Sequence, residues 1–247
     1  MSLAGSVCFS QLFGKSTMAS AHTFTDEGGS IMPFQDREHA AHLLAKRLAG
    51  YRGQRPLVLG IPRGAVPMAK IIAEALDGAL DVVLVHKLGA PGQPELAIGS
   101  VDEAGHLYLS ADVRDLGVTE AYIAREKAVQ LETLRKRRAM YTPIRPPLDP
   151  AGRLVIVVDN GVATGASMIA ALRAVRAQQP AKLIAAAAVA SPSAVRQIAA
   201  EADEVVCLEV PEFFYAVGQF YEDFSQVSDA EVIAILQPPS PTPGPQL

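Results

Sequence analysis

Short, almost wholly apolar runs recur along this chain and alternate with stretches of helical spacing. Leu57-Val-Leu-Gly-Ile61, Leu80 to His86, Arg153-Leu-Val-Ile-Val-Val158, Leu183 to Ala190 and Glu204 to Val210 each read as a strand. A strand that is apolar on both faces needs cover on both faces. Helical patterns lie between these runs. Asp36 caps one over Glu38 to Ala49, with Leu44 and Leu48 at i,i+4 and Gly50 as its stop. Others run through Met68, Ile72 and Leu76, over Ser167 to Ala177, and over Ser193 to Ala200. This alternation predicts an α/β fold, a mostly parallel central sheet flanked by helices. Two features interrupt it: a highly charged helix from Thr119 to about Met140, and short strands at Ala97 to Val101 and Leu107 to Leu109 about Gly105.

The chain's 247 residues suffice to bury a full core without staples. Its hydrophobic fraction of 49% excludes disorder as the main state. Three parts are expected: an extension over 1–31, a globular part over 32–236 and a Pro-rich tail over 237–247. A net charge of −4 disfavours general nucleic-acid binding, because proteins that grip phosphate backbones are usually basic. Cys8 and Cys207 are the two cysteines, too few for a disulfide scaffold or a structural zinc module. No apolar run is long enough to span a membrane, and the first thirty residues lack the pattern of a signal peptide. A cytoplasmic location is expected.

Val155-Ile-Val-Val-Asp-Asn-Gly-Val-Ala-Thr-Gly-Ala-Ser167 carries the chemistry. An apolar strand ends in Asp159 and Asn160, a loop of small residues follows, and a helix begins. Ligands of open α/β sheets bind at the carboxyl ends of the strands. Gly161 and Gly165 let backbone approach a ligand closely. The amides of Ala163, Thr164, Gly165, Ala166 and Ser167, with two hydroxyls and the helix dipole, would converge on an anion. Asp159 and Asn160 stand where they could bond vicinal hydroxyls. A phosphate cup beside a hydroxyl-binding pair describes a ribose 5-phosphate site.

This stretch resembles the motif by which type I phosphoribosyltransferases bind phosphoribosyl pyrophosphate (PRPP). Asn160 departs from it, since the family has a second acid there. Asn can bond a ribose hydroxyl but carries no charge. Leu59-Gly-Ile-Pro-Arg-Gly64 is similar to the family's pyrophosphate loop, which implies that Arg63 and Gly64 hold pyrophosphate. Val85-His-Lys-Leu-Gly-Ala-Pro-Gly-Gln-Pro-Glu-Leu-Ala-Ile-Gly99 resembles the start of the family's mobile loop, which makes Lys87 a second pyrophosphate cation. The run from Asp203 to Gly218 is similar to hypoxanthine-guanine phosphoribosyltransferases. There the resemblance places the acceptor on Tyr215 and Val217, and a magnesium-side acid at Glu222 with Asp223 beside it. That family's base-reading lysine would fall near Ala190 to Ser193, where this chain has none, so purine identity does not transfer.

The resemblance covers about residues 36 to 236. It implies the type I phosphoribosyltransferase fold with a small hood and a mobile loop from about Gly89 to Val118. The implied function is Mg²⁺-dependent transfer of ribose 5-phosphate from PRPP to a nitrogen acceptor, with pyrophosphate released. Asp159, Asn160, Arg63 and Lys87 are the implied catalytic set. The alternative is a PRPP-binding regulatory protein without transfer chemistry. A homodimer is left open. Arg125 or Arg135 of the charged helix could fold over PRPP, and Arg135 to Arg138 otherwise reads as a solvated face. No phosphate-binding P-loop, dinucleotide-binding or hydrolase-elbow motif occurs.

Overall fold

The computed structural model describes residues 33–110, 113 and 116–237. The expected extension over 1–31 and nearly all of the Pro-rich tail therefore lie outside the described residues. Strands β1 (Leu57–Gly60), β2 (Ala79–Val82), β6 (Leu154–Asp159), β7 (Lys182–Val189) and β8 (Glu204–Glu209) form one parallel sheet in the order β2-β1-β6-β7-β8. Val155 to Val158 and Leu183 to Val189 are buried throughout, as continuous apolar strands in a two-sided sheet must be.

Residues of alternate parity serve the two faces. Val58, Ile156, Ile184 and Val206 pack under α1 (Arg37–Arg47) and α2 (Val66–Ala75). Leu57, Val155, Val157 and Leu183 pack under α4 (Ala166–Arg176) and α5 (Pro192–Ile198). Asp36 caps α1 by accepting from the His39 amide, and Thr119 caps α3 (Glu120–Tyr141) by accepting from the Tyr122 amide. The first helix stops at Arg47, before a 3-10 turn over Ala49–Tyr51 that carries the chain past the expected Gly50 stop.

One expectation is corrected. The apolar run Leu80 to His86 is not one strand. β2 ends at Val82, level with the end of its partner β1 at Gly60, and the chain leaves the sheet. It then enters β3 (Val85–Ala90), which pairs antiparallel with β4 (Gln93–Asp102), and β4 pairs with β5 (Leu107–Leu109). Half of the segment expected as a mobile loop, from about Gly89 to Val118, thus lies in a three-stranded antiparallel sheet. It has this order because Leu88, Ile98 and Val101 are fully buried in the core shared with the parallel sheet. Residues 111, 112, 114 and 115 of that segment lie outside the described residues.

A last helix, α6 (Asp229–Leu236), was not among the expected elements. It opens on a capping box in which Ser228 accepts from the Glu231 amide and Glu231 accepts from the Ser228 amide. Val232 and Leu236 bury its inner face.

Candidate functional site

The carboxyl ends of β1 and β6 are adjacent, since Gly60 and Val158 are register partners. Two loops therefore leave the sheet side by side. The first is the turn through Pro62, Arg63 and Gly64, in which the Pro62–Arg63 peptide is cis. The second runs from Asp159 to Gly165. They touch: a Cβ built on Gly64 would lie 2.6 Å from Asn160 Nδ2. Glycine is needed there because any side chain would push the Asn160 amide away.

Gly165 is the residue before α4 and has φ +87, in the left-handed region that glycine adopts without strain. The amides of 163–167 lie at the end of the helix where N–H groups lack helical partners. Two serines brace this loop. Ser191 donates to the Ala163 carbonyl at 2.7 Å and also caps α5. Ser100 of β4 donates to the Ala166 carbonyl at 3.0 Å. Ser100 is the register partner of Lys87 on β3, so the same hairpin that docks on this loop carries the half-buried Lys87.

Asp159 receives the Asn160 amide on its Oδ1 at 2.7 Å. Burial pushes its carboxyl up to about 7, against the lowering effect of the Asn160 and Gly161 amides. The folded state thus holds a proton that an unfolded aspartate releases near pH ~3.9. The stability this proton contributes is complete below that pH and is lost as pH rises through about 7. Asp159→Asn mimics the protonated acid. It should raise the melting temperature at pH 8 by about 2–4 °C, on the scale of ~1 kcal/mol for a domain of this size, and change it little at pH 4. Scanning calorimetry at the two pH values checks this; an equal shift at both would remove Asp159 as the cause.

The segment expected to hold the acceptor lies over the same strand exit. Val217 packs on Gly161, where any Cβ would collide with its methyls. Tyr215 is 86% exposed, so the ring is not a packing residue at a loop corner. Its amide and that of Ala216 both bond Gln219 Oε1 at 3.1 Å, which fixes the backbone that presents it. Phe213 beside it is 73% exposed. Glu222 is exposed, and its amide donates to the Phe34 carbonyl at 2.8 Å. Among the described residues no three His, Cys, Asp or Glu side chains converge as a metal site.

Several contributors were not singled out from the sequence. Tyr221 is buried and donates to the Asn160 carbonyl at 2.6 Å. It stacks on Phe224, whose other neighbour is the Arg37 guanidinium, 4.1 Å from the ring centroid. Arg37 Nε is buried without a hydrogen-bond partner and lies 3.5 Å from a Cβ built on Gly64. Of the charged helix, Arg125 stacks over Tyr122 and Arg135 is exposed, whereas Arg137 turns inward to Asp229. Arg138 pairs with Glu103 at 2.6 Å, so the run Arg135 to Arg138 is not a uniformly solvated face.

A family model described as a phosphoribosyl transferase domain matches residues 35–225. The chain belongs to this phosphoribosyl transferase domain family. With that membership, the parallel sheet, its flanking helices and the strand–loop–helix exits are the type I phosphoribosyltransferase fold. Two Mycobacterium tuberculosis proteins named "Putative phosphoribosyl transferase" are each 42% identical over 204 residues. The match takes in 82% of this chain and 46% of theirs, so the chain spans about half the length of these curated relatives. The crystal structure of TT1426 from Thermus thermophilus is 49% identical, with a TM-score of 0.71. It covers 83% of this chain and 98% of that one. No helix among the described residues is long and apolar enough to cross a membrane.

Proposed function

We propose that this phosphoribosyltransferase domain transfers ribose 5-phosphate from PRPP to a nitrogen nucleophile and releases pyrophosphate. One observation carries the reading. The Arg63–Gly64 turn and the Asp159–Ser167 loop abut through Gly64 and Asn160, which supports a pyrophosphate cradle and a phosphate cup on either side of a hydroxyl-binding pair. That spacing suits one ligand with a phosphate at one end, a diphosphate at the other and a ribose between them.

The roles follow from the donors. The amides of 163–167 and the hydroxyls of Thr164 and Ser167 take the 5-phosphate. Asp159 and Asn160 bond the ribose hydroxyls. Arg63, the amides at Gly64 and Lys87 stabilise charge that grows on the departing diphosphate. The acceptor lies between Tyr215 and Val217. Bond breaking at C1 precedes much bond making, so the ring gains oxocarbenium character and water must be kept out. The β3–β4 hairpin would exclude it. A hard cation that takes most of its ligands from PRPP would be held on the protein side by the carboxylates of Asp159 and Glu222. Bound Mg²⁺ would neutralise diphosphate charge and make it a better leaving group.

Asn160 favours the rival, a PRPP-binding regulatory protein, because an amide supplies no charge to the ribose or the cation. The deciding experiment follows pyrophosphate release with PRPP, Mg²⁺ and a panel of nucleobases. Release that depends on a base supports the transferase. PRPP binding with no release for any base supports the regulator.

Tyr215 sets the acceptor side apart from the PRPP side. A planar acceptor stacked on its ring gains about 1 kcal/mol beyond buried area. Tyr215→Ala should weaken the acceptor about fivefold and leave PRPP affinity unchanged, while Tyr215→Phe keeps both. Equal losses for PRPP and acceptor in Tyr215→Ala would place the acceptor elsewhere.

A further inference from the structure

Two helices outside the proposed PRPP site, α3 and α6, build a cluster against the arginine of its pyrophosphate turn. Arg63 Nη1 lies 3.6 Å from Asp229 Oδ2. Asp229 is the first residue of α6, directly after the Ser228 cap. Its other oxygen, Oδ1, accepts the Tyr141 hydroxyl at 2.6 Å and sits 3.7 Å from Arg137 Nε. Tyr141 is fully buried at the end of α3, and Arg137 lies one turn earlier on the same helix with its side chain 19% exposed.

The parts differ in how firmly they are held. The Tyr141–Asp229 bond is short and comes from a group locked in the core. Burial first, and the Asp229 carboxylate second, push the Tyr141 hydroxyl well above its ordinary range, so it remains a neutral donor at any working pH. The Asp229–Arg63 contact is longer than a charge-assisted hydrogen bond, and both side chains are about one-third exposed. A carboxylate fixed from behind therefore steers a guanidinium that can still turn. Two guanidiniums share this single carboxylate. Arg137 also adds to the positive surroundings of His86, the neighbour of Lys87, although burial is the larger influence on that ring.

We infer that Asp229, anchored by Tyr141 and shared with Arg137, is a positioning residue that presents the Arg63 guanidinium to the diphosphate of the ligand. The inference rests on the proposed role of Arg63. Arg63 has a long side chain with much rotamer freedom to lose on binding. Asp229 removes part of that freedom in advance, and α6, which contributes no group to the ligand, acquires a function.

The test is calorimetric binding of inorganic pyrophosphate, PRPP and ribose 5-phosphate, each with Mg²⁺, to the full chain and its variants. Asp229→Ala should weaken pyrophosphate and PRPP about tenfold, the size of one Arg side chain's ordering entropy, and leave ribose 5-phosphate unchanged. Tyr141→Phe should show the same pattern with a smaller loss. Asp229→Asn keeps an acceptor for Tyr141 and should fall between wild type and Asp229→Ala. Adding Asp229→Ala to Arg63→Ala should cost nothing further. Additive losses, or a loss for ribose 5-phosphate equal to that for pyrophosphate, would mean that Asp229 only supports the fold, and would overturn the inference. Should Asp229→Ala fail to fold, Asp229→Asn and Tyr141→Phe decide by the same criteria. Unchanged pyrophosphate affinity in Arg63→Ala has a separate meaning: it rejects Arg63 as a diphosphate ligand, and the inference with it. If instead Arg63→Ala weakens pyrophosphate and the Asp229 variants do not, only the inference fails.

Discussion

Gly165→Val should weaken PRPP binding by at least about 100-fold, the loss of one or two charge-assisted hydrogen bonds to phosphate. Gly165 has φ +87, a conformation in which a β-branched residue is strained by about 1–3 kcal/mol. Its Cβ would also approach Ile169 Cδ1 to 3.2 Å. The backbone relieves both by rotating, and the amides of 163–167 then no longer converge. The affinities of PRPP and ribose 5-phosphate should fall together, because both use the 5-phosphate, whereas that of pyrophosphate should not. Calorimetry of the folded variant reads all three. An unchanged PRPP affinity would move the phosphate out of this loop.

The largest expected loss of stability comes from the strand that carries the site. Ile156 is fully buried in the middle of β6, level with Val58 of β1 and Ile184 of β7. Ile156→Ala leaves a cavity between a parallel sheet and two helices that cannot collapse independently. It should destabilise the fold by about 3–4 kcal/mol. Urea unfolding measures this as a lower midpoint at unchanged slope. A loss below about 1 kcal/mol would mean that the core relaxes around the site far more than its packing implies.

Much of this architecture was legible in the sequence because its signals are local. Continuous apolar runs gave away the two-sided sheet, and Asp36 and Thr119 marked their helix starts. The Asp159–Ser167 stretch carried its own strand, loop and helix signals. Signals failed where neighbours in space are distant in sequence. Leu80 to His86 is apolar throughout most of its length, so nothing along it marks where β2 ends; that point is set by the end of β1. The charged helix α3 has no apolar stripe, so the sequence could not choose Arg137 and Arg138 over Arg125 or Arg135 as its inward arginines. Tyr221 meets Asn160 across the fold, and no spacing rule links them. Helix α6 was different: Ser228-x-x-Glu231 is a readable capping box, and Asp229, which holds Arg63, lies inside it.

The central claim is that a single PRPP molecule spans the two loops at the carboxyl ends of β1 and β6. A crystal structure of the protein grown with PRPP and Mg²⁺ tests it most directly. The account predicts the 5-phosphate against the amides of residues 163–167, the ribose hydroxyls on Asp159 and Asn160, and the diphosphate at Arg63 and Gly64. PRPP bound elsewhere, or bound with its diphosphate in the 163–167 loop and away from Arg63, would contradict it.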